Sequence, residues 1–362
     1  MKLTSTVLLV LGLSMATAHA DPPFHVYAPS RITGKLLIVQ AQPSDDGLSL
    51  ELAEQVDLAF PAGTITTNPK KPLLYVAAPS GEEGKTPGAV IALDNGGRYL
   101  RHVSLKLQHG YSYLSLDRTS RFLLGANYQD GFVDVYELDD DAAPGKCVAA
   151  LNEGRRNAHC VLPSPNNQFV YIPYVKDTNA ILQYKFAPDS GALTPLKPRN
   201  AEPPAGTGPR HIAYHPAKPV VYFSNEQHLG VSVYEMQESG ALKLRQVCDA
   251  VKQGESKQGV SSSDILITPD GRFLFAGIRG HQREFDWISR YRVTANGEVK
   301  LLGLTPADKI PWGLALSPSG RYLLVTAFQG ATLTAYSIGD DGELTRVASL
   351  PWDNSVSDIV AR

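Results

Sequence analysis

Four residues interrupt an otherwise apolar pattern at matching places along the chain: His159, Arg210, Glu226 and Arg279. Each stands at the start or the end of a short β-type run. Brought together, an imidazole and a carboxylate can take up or release protons. Two guanidiniums can hold negative charge as it develops and grip hydroxyls or an anionic group through forked donors. Whether the four share one place depends on the elements that carry them.

Those elements are repeats. CVLPSPNNQFVYIPY, HIAYHPAKPVVYFSN, ILITPDGRFLFAGIR and LALSPSGRYLLVTAF share one order: an apolar run, a turn with proline, polar residues, an aromatic, a second apolar run. Their turn prolines, Pro165, Pro216, Pro269 and Pro318, are 51, 53 and 49 residues apart. Two weaker copies lie upstream, with Arg118 and Pro69 in the proline's place. Within a repeat, VVYFS (220–224), GVSVYEM (230–236) and LKLRQV (242–247) are short runs separated by Gly, Asn and Asp, the marks of strands joined by turns. Four strands in each ~50-residue period predict an all-β, seven-bladed propeller. Six registers fall between residues 60 and 350. FHVYAP and GKLLIVQA (24–41) read as outer strands of a seventh blade, and NSVSDIVAR (354–362) supplies its inner strand. Sharing a blade between the two chain ends covers edges that a simple seam leaves open.

Alignment of the repeats gives two registers at the channel mouth. Ser112, His159, Arg210, Ser263 and Trp312 enter the innermost strands; Pro79, Tyr128, Val175, Glu226, Arg279 and Phe328 end the second strands. His159, Arg210, Glu226 and Arg279 then lie on three consecutive blades and converge on one sector as the candidate catalytic set. Tyr128, Lys176, Asn225, Asp264 and Gln329 are the candidate substrate-binding residues beside them. The competing reading is a purely structural ion network. His211 is expected to alternate away from Arg210, His215 to cap a blade corner, and His102, His109, His228 and His281 to sit in loops or at the rim.

Of the 362 residues, 43% are hydrophobic and 19% charged, a make-up able to bury a core. The formal charge of −2 gives no reason to expect nucleic acid or an anionic membrane as partner. Residues 1–20 combine Lys2, the apolar run Val7 to Leu13 and Ala18-His19-Ala20, the pattern of a cleaved secretory signal. Residues 21–362 are then one exported domain, placed in the periplasm and free of the membrane. Cys147, Cys160 and Cys248 are an odd set, so no structural disulfide is expected. No Cys/His spacing fits zinc, and no metal or cofactor is expected.

GTGPRHIAYHPAKPVVYFSNE (206–226) resembles the hallmark blade of the seven-bladed propeller lactonase family, which includes bacterial 6-phosphogluconolactonases of the propeller type and fungal carboxy-muconate cyclases. AHCVLPSPNNQFVYIPYVKD, SDILITPDGRFLFAGIR and PWGLALSPSGRYLLVTAFQ extend the similarity in order along nearly all of residues 21–362. The resemblance implies a site made of His159, Arg210, Glu226 and Arg279. It implies opening of a small sugar lactone, with the arginines at the oxyanion, Glu226 as base or water-orienting group, and His159 as acid or as a partner in the base role. There is no G-x-S-x-G nucleophile segment. The stretch GHQREFDWISRYR after Arg279 is longer than its counterpart and is expected to add His281, Arg283 and Trp287 at the rim. Glucono-1,5-lactone is the substrate that export favours, since phosphorylated sugars stay in the cytoplasm. The alternatives are its 6-phosphate, a muconate-type cyclase, and a binding scaffold without turnover. A scaffold has no need of Glu226 facing two arginines.

Overall fold

The computed structural model describes residues 21–44, 47–251, 256–352 and 356–362; the expected signal segment (1–20) lies outside the described residues. Seven four-stranded antiparallel sheets form a ring. Six are built from consecutive strands, innermost first. The blade that carries Arg210 runs Pro209–Tyr214, Val220–Asn225, Gly230–Met236 and Leu242–Asp249. The seventh takes its innermost strand, Val360–Ala361, from the C-terminal segment and Phe24–Pro29, Lys35–Ser44 and Gly47–Asp57 from the N-terminal one. Val26 pairs with Ala361 and Tyr27 with Val360. The edge strand Gly47–Asp57 went unread in the sequence because an outermost strand meets solvent and carries mostly polar or half-buried residues.

The corners at the four turn prolines are closed by a polar side chain at the same repeat position. Ser164 Oγ accepts the Phe169 N–H, His215 Nδ1 the Ala217 N–H, Thr268 Oγ1 the Phe273 N–H and Ser317 Oγ the Tyr322 N–H. In the weak copy, where Arg118 replaces proline, Asp117 works hardest. Its carboxylate accepts the backbone N–H groups of Thr119, Arg121 and Phe122 and a hydrogen bond from Asn167 Nδ2. Burial pushes the Asp117 pKa up, but these donors outweigh it and hold the carboxyl below its ordinary value.

Neighbouring blades are stitched by second-strand tyrosines. Tyr171 donates to the Gly240 carbonyl at 2.7 Å and Tyr222 to Gly297 at 2.8 Å, each bond contributing about 1 kcal/mol. Gly240 and Gly297 have φ of +84° and +86°, and a Cβ on either would strike Phe169 or Val220. Only glycine satisfies both demands. Cys147, Cys160 and Cys248 are free thiols, Cys160 fully buried. Among the described residues, the helical element is a single turn, Lys176–Thr178, and no helix is long and apolar enough to cross a membrane.

Candidate active site

A cavity of about 510 Å³ occupies the mouth of the channel, and His159, Arg210, Glu226 and Arg279 all line it. Tyr128 and Lys176 line it too, as do Ser112, Pro79 and Trp312 from the two aligned registers. The other candidates fall elsewhere. Asn225 is buried behind Glu226, where its Oδ1 accepts a hydrogen bond from Ser232. Gln329 lies on an exposed turn. Asp264 sits beneath the cavity on His211. Ser263 donates to the Pro311 carbonyl and latches two blades together.

The centre of the site is a carboxylate between two guanidiniums. Glu226 Oε2 is 3.0 Å from Arg210 Nε and 3.5 Å from Arg279 Nη2, and Oε1 accepts from Gln227 Nε2. Arg210 is 1% exposed, and its Nε and Nη1 have no aligned hydrogen-bond acceptor. Arg279 donates to the Ser262 carbonyl at 2.8 Å and lies over the Trp312 ring at 4.7 Å. Burial, then the Arg210 charge, press the Arg279 pKa downward, while Glu226 opposes the shift. Unspent donors and crowded positive charge make this a place where an added anion or oxyanion is stabilised.

His159 stands beside that charge. Burial first, then Arg210, His211 and Arg279, hold its pKa well below the ordinary histidine value, so the ring is neutral near pH 7. A neutral ring suits the base role better than that of a resident acid. Lys176 Nζ is 5.3 Å from the Tyr128 ring centre, and its pKa is raised first by its hydrogen bond with Tyr128.

Several lining residues differ from the expectations. His211 lines the cavity together with Arg210, although strict alternation turns it away. The cause is a β-bulge: the register slips between Pro209 and Ile212, so both residues oppose one position on the partner strand. The same slip recurs in the next two blades, between Ser262 and Ile265 and between Pro311 and Leu314. Arg31 and Ser80 also line the cavity. Extending the second register into the composite blade reaches Ser30, whose neighbour is Arg31. From the longer rim segment, His281 is part of the lining; Arg283 packs on Phe285 and Trp287 sits against that same ring.

Asp358 belongs to the floor. Its Oδ2 accepts from Thr64 Oγ1 at 2.9 Å and from the Ile65 N–H at 3.0 Å. Burial pushes its pKa up from 3.8 to about 7. A raised carboxylate holds its proton more tightly in the folded chain, so stability is full below about pH 4, falls as pH rises to about 7 and is level above. Asp358→Asn is therefore expected to exceed the parent by up to about 4 kcal/mol at about pH 8 and to match it near pH 3.5. Denaturant unfolding at both pH values measures this, and an equal gain at the two would refute it.

The comparisons with known proteins bear on the family and the fold. The family model described as "Lactonase, 7-bladed beta-propeller" matches residues 30–357. A protein of Klebsiella pneumoniae (strain 342) named 6-phosphogluconolactonase is 30% identical over 299 residues, 82% of this chain and 86% of its own. A 6-phosphogluconolactonase of Cronobacter sakazakii is 32% identical over 236 residues, 64% of this chain and 68% of its own. In structure, the Pseudomonas aeruginosa periplasmic gluconolactonase superposes with a TM-score of 0.78 at 22% identity, over 94% of this chain and 99% of that one. A putative 6-phosphogluconolactonase from Bacteroides fragilis gives 0.80 at 18% identity, over 94% and 98%. With the family model covering the propeller and its blades all present, the chain belongs to the seven-bladed β-propeller lactonase family and is a hydrolase of the lactonase kind.

Proposed function

We propose that this protein is an exported lactonase that hydrolyses glucono-1,5-lactone to gluconate, with residues 1–20 as its signal and 21–362 as the mature single domain. The observation that carries the reading is Glu226 clamped between Arg210 and Arg279 in a cavity shared with a neutral His159. Water adds to the ring carbonyl carbon as the carbonyl electron pair moves to oxygen. Arg210 and Arg279 receive that charge. His159 takes the proton from the water and returns it to the ring oxygen as the ring C–O bond breaks. Glu226 fixes both guanidiniums in place. Tyr128 and Lys176 sit where sugar hydroxyls need partners.

Export favours the unphosphorylated lactone. A second reading, 6-phosphogluconolactone, draws on the names of the sequence relatives and on the basic lining residues Arg31 and Lys176, which suit a phosphate. The test is kcat/KM for both lactones, measured above the buffer rate, together with the N-terminus of protein recovered from the periplasm. A higher kcat/KM for gluconolactone and a chain starting at Asp21 bear out the proposal. Preference for the 6-phosphate, or an uncleaved cytoplasmic chain, moves the assignment to the second reading.

A further inference from the structure

Two buried nitrogens near the cavity have no hydrogen-bond partner: His159 Nδ1 and His211 Nε2. They belong to adjacent rings whose centres are 5.0 Å apart at 61°. No hydrogen bond joins the two rings as they stand; a rotation that turned these two nitrogens towards one another would bring them within hydrogen-bond reach. One must donate and the other accept, and the residue behind His211 decides which.

That residue is Asp264. Its Oδ1 lies 2.7 Å from His211 Nδ1 and also accepts the Ile265 N–H, while Oδ2 accepts the Leu314 N–H. Burial works against the charge, yet His211 and the other donors hold the Asp264 pKa below its ordinary value. An ionised carboxylate only accepts, so His211 Nδ1 carries a proton and its Nε2 is left as a lone pair. The complementary state of His159 has hydrogen on Nδ1 and a lone pair on Nε2.

Resting on the lactonase reading above, we propose that Asp264, His211 and His159 form one proton-handling chain, with His159 Nε2 meeting the attacking water and His211 and Asp264 acting behind it as positioning residues. The water gives its proton to His159 Nε2. His159 passes its Nδ1 proton to His211 Nε2, and the reverse transfers protonate the departing ring oxygen. The charges around the chain supply the reason for the relay. Burial first, then Arg210, His211 and Arg279, make an imidazolium costly at His159, whose ring also meets Tyr128 edge-on. His211 faces Tyr113, Asp264 and the same two arginines. Asp264, whose charge also acts on Asp358, gives His211 the counter-charge that His159 lacks. The bulges that turn His211 and Asp264 towards one another occur in the blades that carry them.

Imidazole nitrogen NMR of protein labelled in histidine tests the chain directly. Near pH 7.5, His159 and His211 are both expected as Nδ1–H tautomers, and the His211 Nδ1 proton signal is expected to shift in Asp264→Asn. Kinetically, His211→Phe should lower kcat by about 10²-fold with KM nearly unchanged, at the low end for lost proton-transfer catalysis. In Asp264→Asn the chain loses its counter-charge, its basicity falls, and the acid limb of kcat/KM moves to lower pH, an effect that a merely structural role does not produce. An Nε2–H tautomer at His159, or parental kcat with an unmoved acid limb in both variants, would overturn the proposal. A parent protein that opens neither lactone overturns the substrate reading instead, and the tautomers still decide the chain.

Discussion

Glu226→Gln is expected to weaken the fold by about 3 kcal/mol and to remove most of the lactone-opening rate, because it leaves two buried cations without their shared counter-charge. In the parent, Oε2 stands 3.0 Å from Arg210 and 3.5 Å from Arg279. The amide fills the same space but carries no charge, so the repulsion between the guanidiniums goes uncompensated. The cavity is open to solvent, so an added anion can partly replace the carboxylate. Sulfate should therefore raise the unfolding midpoint of Glu226→Gln more than that of the parent. The reaction suffers as well, since the arginines lose the group that fixes them opposite the carbonyl. Denaturant titration with and without sulfate, beside the lactone assay, measures both effects. A variant of parental stability and rate would make the cluster a passive ion network.

Arg210→Met should separate activity from stability in the opposite way. The guanidinium is 1% exposed, holds Glu226 through Nε while its Nη1 has no hydrogen-bond partner, and lowers the pKa values of Arg279, His159 and His211. Losing an oxyanion donor costs roughly 10²–10³-fold in kcat. Glu226 keeps Arg279, and an unbranched apolar chain relieves the crowding of positive charge, so the thermal midpoint is expected to hold or rise. Removing a cation eases protonation of both histidines, so their pKa values rise and the acid limb of kcat/KM moves to higher pH. This is opposite in sign to the shift expected for Asp264→Asn. Parental kcat in Arg210→Met would take Arg210 out of the reaction.

The architecture was legible because a blade is a local object. Its corners, hairpin glycines and strand aromatics each answer to neighbours within one period, so they recur near every 50 residues and can be counted. The aligned registers brought out His159, Arg210, Glu226 and Arg279 for the same reason: a polar residue at an inner strand end contradicts the pattern around it. Outermost strands such as Gly47–Asp57 contact solvent on the edge, and no strong pattern is imposed on them. Position in the repeat by itself did not distinguish Asn225 and Gln329, one turned behind the site and the other out to solvent, from Tyr128 and Lys176, which line it.

By itself, the sequence determined the repeat, the number of blades and the polar residues at the channel mouth, since period and hydropathy are properties of short segments. Only the tertiary structure decided that His211 shares the cavity with Arg210 and that Asp264 grips it from the next blade. Both outcomes depend on a one-residue slip between paired strands. No residue type marks such a slip; it is set by how each innermost strand must bend to meet its neighbours around a closed ring.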